Sequence, residues 1–269
     1  MTARTLRKEG RIFYDVDTQK DFMNEDGALY VPEAETIKEN LGKITLTAQM
    51  QNIRVLGSVD LHYGTFEYKE REGELKLWGG PFPDHCMRYT IGQQKILETS
   101  RILLSHAPSP ASAGSNMDSR DCSRTQARPV LQRGVLDTTQ IVHSDLDIVF
   151  KPHFLPEIET SQLQKIARTA LLEDTPIYIE KQSYDVFTNP LAEVLLREAG
   201  VKEAIVYGVA TDFCVKAAVL GMHKRGIQCY VVKDAIKGVF PDKSKEALAE
   251  MAEAGAKFVT TSDILEYRI

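Results

Sequence analysis

Short apolar runs alternate with longer amphipathic segments along most of this chain, and polar residues close several of the runs. Residues 11–16 (RIFYDV) predict a first buried strand, followed at once by the polar stretch Asp17-Thr-Gln-Lys-Asp21. A long helix is predicted over 33–51, with Ile37, Leu41, Ile44, Leu46 and Met50 as its apolar contacts. A second strand is predicted over 53–59, ending at Asp60-Leu-His62. Further strands are expected at 147–150 and 176–179, the latter closing on Glu180-Lys181, with a helix between them over 161–172. The remainder alternates helix 191–198, strand 204–207, helix from 212 to about 225, strand 228–232, helix 243–254 and strand 257–260. Strands separated by helices call for right-handed crossovers and a parallel sheet covered on both faces. A doubly wound, Rossmann-like α/β fold is therefore expected, as one domain over residues 1–269.

Two stretches break this rhythm. Residues 63–94 read as a long loop with aromatics, Gly79-Gly80 and Phe82-Pro-Asp-His-Cys86. From about 105 to 140 the composition turns to Ser, Ala, Pro, Arg and Asp with little periodicity, which predicts an insertion. The 43% hydrophobic content supports a proper core. A net charge of −5, from 38 acidic and 33 basic residues without a long basic run, argues against nucleic acid as a partner. No apolar run approaches the ~20 residues needed to span a bilayer, and the first ten residues lack an apolar signal core. A cytoplasmic protein with no membrane partner is expected. Its four cysteines, Cys86, Cys122, Cys214 and Cys229, form no CxxC pair and predict reduced thiols.

The residues that could carry chemistry fall at predicted strand ends, where ligands bind in parallel α/β sheets. Tyr207-Gly-Val-Ala-Thr-Asp-Phe-Cys-Val215 leads from a strand into a helix, with Thr211 or Asp212 as a candidate N-cap. Cys214 then lies in the first helical turn, where unsatisfied N–H groups and the helix dipole favour a thiolate. Alone, it reads equally well as a small buried hydrophobe. Asp17 could take the thiol proton and Lys181 could stabilise the resulting anions, although singly each could be a turn or surface charge. Lys151 follows another strand-like run and competes with Lys181. Asp60, His62 and a loop residue, His85, form a second set. An Asp-x-His pair on a strand projects two ligands to one side, and the set suits Zn²⁺, with Fe²⁺ or Mn²⁺ as alternatives.

Taken in order, Asp17-Thr-Gln-Lys-Asp-Phe22, Asp60-Leu-His62, Pro83-Asp-His-Cys86, Lys181 before Tyr184 and Phe187, and Gly208-Val-Ala-Thr-Asp-Phe-Cys-Val215 resemble the isochorismatase-like cysteine hydrolases, and within them the nicotinamidase branch. The resemblance covers most of the chain outside the insertion. It implies a small-molecule amide substrate, nicotinamide, converted to nicotinate and ammonia in pyridine nucleotide salvage. It further implies Asp17 as base, Lys181 as electrostatic partner and Cys214 as nucleophile forming a thioester. An oxyanion hole from the Ala210 and Cys214 amides is implied, with a cis peptide at Val209–Ala210. Phe22 and Phe82 are implied around the substrate ring, Phe22 being equally readable as core packing, and Asp60, His62 and His85 around a divalent metal. A homo-oligomer is expected. Tyr89, where the pattern has glycine, departs from it. A relative acting on another small amide or an N-carbamoyl compound would keep the triad without needing the metal. A vinyl-ether hydrolase would not require the cysteine, and a non-catalytic sensor on this fold would have little use for an activated thiol.

Overall fold

Seven parallel strands form one sheet in a computed structural model that describes residues 8–62, 82–100, 140–142, 159–172 and 175–269. The strands are β1 (Arg11–Val16), β2 (Val55–Asp60), β3 (Gln140–Val142), β4 (Ile177–Lys181), β5 (Glu203–Val209), β6 (Gln228–Lys237) and β7 (Lys257–Val259). Their order is β3-β4-β2-β1-β5-β6-β7. The helices are α1 (Lys20–Met23), α2 (Lys38–Met50), α3 (Thr160–Leu172), α4 (Pro190–Glu198), α5 (Lys216–His223), α6 (Pro241–Glu253) and α7 (Thr261–Leu265). No helix among the described residues is long and apolar enough to cross a membrane. The expected strand at 147–150, Lys151, Cys122 and nearly all of the 105–140 insertion lie outside the described residues.

Every residue of β1, β2 and β4 is buried, the pattern of strands covered on both faces. The two-residue side-chain period divides the core. Ile12, Tyr14 and Val206 face Leu163, Ala167, Leu195, Val219 and Met222 from α3, α4 and α5. On the other side Phe13, Ile205 and Tyr207 meet Leu41, Ile44 and Ala48 of α2 and Ile264 of α7. The doubly wound fold expected from the alternation is thus the one observed.

Three local expectations are corrected. The 33–51 helix divides into a 3₁₀ turn, Ala34–Ile37, and α2. Strand β6 runs on to Lys237, past the exposed charges Lys233 and Asp234 that interrupt its apolar run, and its pairing with β5 shifts register between Val206 and Gly208. Neither Thr211 nor Asp212 caps a helix. Ala210 holds that position and a π-helical turn, Thr211–Val215, precedes α5. The Asp212 carboxylate instead accepts the N–H groups of Val239 and Phe240, both at 2.9 Å, which ties this turn to the segment after β6.

The chain winds from β1 to β2 on one side and from β5 to β6 on the other, so the order reverses between β1 and β5. A crevice opens where the strand order switches, at the carboxyl ends. Asp17, Asp60 to His62, Lys181 and the 209–214 turn end the four neighbouring strands β1, β2, β4 and β5 there.

Candidate active site

Strand β1 leaves the sheet at Asp17, whose φ of 47° turns the chain sharply while its carboxyl stays buried. The Asp17 Oδ1 accepts the Ser58 hydroxyl at 2.7 Å, and Oδ2 lies 2.9 Å from the Lys181 ammonium. Lys181 is fully buried and also hydrogen-bonds Asp60 Oδ1. Its third neighbour is the sulfur of Cys214, at 3.5 Å. One ammonium therefore holds two carboxylates and a thiol in a single cluster.

Electrostatics separates these groups. Burial pushes the Asp17 carboxyl above the ordinary carboxylate range, the neighbouring Asp60 charge adds to the rise, and Lys181 only partly offsets it. Burial also opposes ionisation of Asp60, but the Lys181 ammonium and hydrogen bonds from His62 and His85 outweigh it, so its carboxyl is held well below that range. Burial likewise works against charge on Lys181, and Asp17, Asp60 and Cys214 reverse the outcome, keeping it an ammonium. The Cys214 thiol is pushed well up, chiefly by burial and further by the two carboxylates, with Lys181 pulling the other way. The arrangement holds a neutral thiol beside a carboxyl that gains a proton readily.

Asp60 turns its other oxygen to the second cluster. Oδ2 lies 3.2 Å from His85 Nε2 and 3.6 Å from His62 Nε2, and one ligand atom from each of the three buried residues falls within 4.8 Å of the others. His62 follows β2, where its N–H donates to the Cys86 carbonyl and its own carbonyl accepts from Arg88. That pairing carries His85 into place. The Asp21 carboxylate assists by accepting the Cys86 N–H at 2.7 Å and the Ala28 N–H at 3.1 Å. A metal fits this set on two grounds. Two imidazoles and one carboxylate with atoms this close match tetrahedral ligands, which sit about 3.4 Å apart around zinc. His85 Nδ1 lies 2.7 Å from the Pro83 carbonyl, which can only accept, so Nδ1 carries the proton. With Nδ1 committed to that carbonyl, Nε2 faces Asp60 as a donor when the ring is protonated and, when it is neutral, offers its lone pair to a cation held between the two.

Both clusters open onto a cleft of about 600 Å³, its solvent mouth included, lined by Phe22, Phe82, Ala210, Phe213 and Cys214 among others. The rings of Phe22 and Phe82 lie 5.4 Å and 6.5 Å from that of His85. Phe22 also belongs to the α2-side core, so its two readings describe two faces of one ring. The peptide Val209–Ala210 is cis, and the Phe213 and Val215 amides, on either side of Cys214, both donate to the Ala210 carbonyl. Cys86, Cys214 and Cys229 are free thiols. Asp17, Lys181, Cys214, Phe22, Phe82, Asp60, His62 and His85 therefore gather at one crevice, while the rival Lys151 lies outside the described residues. Ser58, Asp21, Phe213 and Tyr184 also belong to its surroundings, and none of them was given a role from the sequence. Phe213, next to the cysteine, was the most readable of them.

Residues 139–263 match the family described as the Isochorismatase domain. The match covers a little under half of the chain. Nicotinamidase from Escherichia coli is 41% identical over 70 residues, 25% of this chain and 33% of that protein. The nicotinamidase/pyrazinamidase of Mycobacterium tuberculosis is 31% identical over 109 residues, 40% of this chain and 57% of that one. The matches thus span from a third to little more than half of these relatives' length. Among solved structures, the pyrazinamidase of Pyrococcus horikoshii in complex with zinc superposes with a TM-score of 0.56, at 24% identity, covering 93% of this chain and 99% of that one. The fold of the described residues is shared with that structure.

Proposed function

We propose that this chain hydrolyses a small aromatic carboxamide, nicotinamide, to nicotinate and ammonia through a thioester on Cys214. The observation carrying the proposal is the Lys181 ammonium, within reach of Asp17, Asp60 and Cys214 beside an aromatic-walled cleft. The nicotinamidase relatives favour this substrate over other amides.

In the proposed reaction Asp17 takes the Cys214 proton as sulfur attacks the amide carbon. The Ala210 and Cys214 amides stabilise the developing oxyanion. Asp17 returns the proton to the amide nitrogen, and ammonia leaves as the thioester forms. Asp17 next takes a proton from water, whose oxygen adds to the thioester carbon. Collapse releases nicotinate, and Asp17 passes the proton back to sulfur. Lys181 holds Asp17 in place and balances negative charge throughout, while Phe22 and Phe82 enclose the ring. Asp60, His62 and His85 would hold a divalent metal, zinc by the chemistry of the donors, which when bound supplies a Lewis-acidic contact for the substrate's ring nitrogen.

Ammonia release from a panel of carboxamides and N-carbamoyl compounds tests the reading. Nicotinamide turnover is expected in the wild type, reduced by verified metal removal, and lower by about 10⁴-fold or more in Cys214→Ala. Undiminished turnover in that variant sinks the thioester route, and preference for a carbamoyl compound sinks the substrate assignment.

A further inference from the structure

Gln19 is completely buried, and the three hydrogen bonds of its side chain all go to main chain. Its Nε2 donates to the carbonyls of Asp60 at 2.7 Å and Gln93 at 2.8 Å, while its Oε1 accepts the Asp60 N–H at 2.7 Å. The topology explains this use. Strand β1 pairs with β2 as far as Val16 opposite Ser58, with one further bond from the Asp17 N–H to the Ser58 carbonyl, and then turns away. Strand β2 continues to Asp60, on the side away from β4, with no β1 backbone left to pair with it. The primary amide of Gln19 carries the same donor and acceptor as a peptide unit and completes the ladder at that position.

The same residue reaches the rest of the site through its backbone. Its N–H donates to the Asp17 carbonyl at 2.7 Å, and its carbonyl accepts from Phe22 at 3.1 Å. We infer that Gln19 is a positioning residue for the metal centre: by gripping both backbone groups of Asp60 it holds that carboxylate with one oxygen on Lys181 and the other toward His62 and His85. The inference rests on the reading that these three side chains bind a metal. An outer group that orients a ligand typically accounts for about 10–100-fold in metal affinity.

Zinc titration of the full chain against a chromophoric chelator tests it, using wild type, Gln19→Glu, Gln19→Met and Thr260→Ala. Gln19→Glu keeps the acceptor but loses both donors, and Gln19→Met removes all three bonds without adding charge. Thr260 caps α7, away from the cleft, so its variant reports the effect of lost stability alone. Zinc affinity is expected to fall about 10–100-fold in both Gln19 variants and to stay at the wild-type value in Thr260→Ala. In the cobalt-substituted proteins the visible band should shift only for the Gln19 variants. Wild-type affinity in both Gln19 variants overturns the inference, as does an equal loss in Thr260→Ala. Failure of the wild type to bind zinc sinks the metal reading itself and the inference with it, and this result is distinct from the others. Should the Gln19 variants not fold, hydrogen exchange in the wild type decides. Protection of the Asp60 amide equal to that of its β2 neighbours supports the clamp, and fast exchange overturns it.

Discussion

Asp17 and Asp60 share one ammonium yet are driven in opposite directions, because Asp60 gains two histidine neighbours that Asp17 lacks. A carboxyl with a raised pKa is protonated at higher pH, and a protonated Asp17 cannot take the Cys214 proton. The acid limb of kcat/KM is therefore expected above the ordinary carboxylate value of 3.8, and a limb at or below it would refute Asp17 as a base raised by burial. Ser58→Ala provides a finer test. The lost hydroxyl donates to the ionised form at 2.7 Å, so its removal should move the limb upward by about one pH unit. An unmoved limb in a folded Ser58→Ala protein would show that this bond does not tune the base. At this scale acids, histidines and a thiol were legible because their chemistry is in the side-chain type. Gln19 and Ser58 were not, since what they do depends on which backbone or carboxyl lies opposite, and a one-dimensional pattern carries no such information.

The four strand ends reach the crevice because elements run straight and turn sharply at its edge. Gly208 shows how closely β5 must approach β1. Its φ is 117°, and a Cβ there would lie 2.0 Å from the Val16 carbonyl oxygen. Gly208→Ala should lower stability by at least about 1–3 kcal/mol and reduce turnover, through both steric overlap and the unfavourable dihedral. An unchanged urea midpoint for this variant would refute that packing argument. Element type was readable from apolar period and length, and most strands and helices stand where the pattern places them. The errors came where packing overrode it. Strand β6 keeps pairing through two exposed charges, and the turn after β5 widens into a π-helix with Asp212 bonded to a distant segment rather than to its own helix.

Across the whole molecule, Lys181 is the buried charge on which β1, β2, β4 and the β5 turn all depend. Lys181→Met keeps the stem and removes the charge, leaving Asp17 and Asp60 without the ammonium they share. A loss of about 3–5 kcal/mol is expected at pH 7. Asp17, already raised by burial, would then bind a proton still more readily folded than unfolded, so part of the loss should return as the pH falls toward 5. Thermal melts at the two pH values measure this, and a wild-type Tm for the variant at pH 7 would contradict it. Taken alone, the sequence determined the fold class, the order of the elements and the chemical types waiting at their ends, because those follow from local period and composition. Only the tertiary structure decided that residues 17, 60, 181 and 214 meet within a few ångströms, that Asp60 is shared between an ammonium and two imidazoles, and that Gln19 completes the ladder where β1 departs. Convergence of this kind depends on strand order and on where each strand leaves the sheet, and those are set by long-range packing.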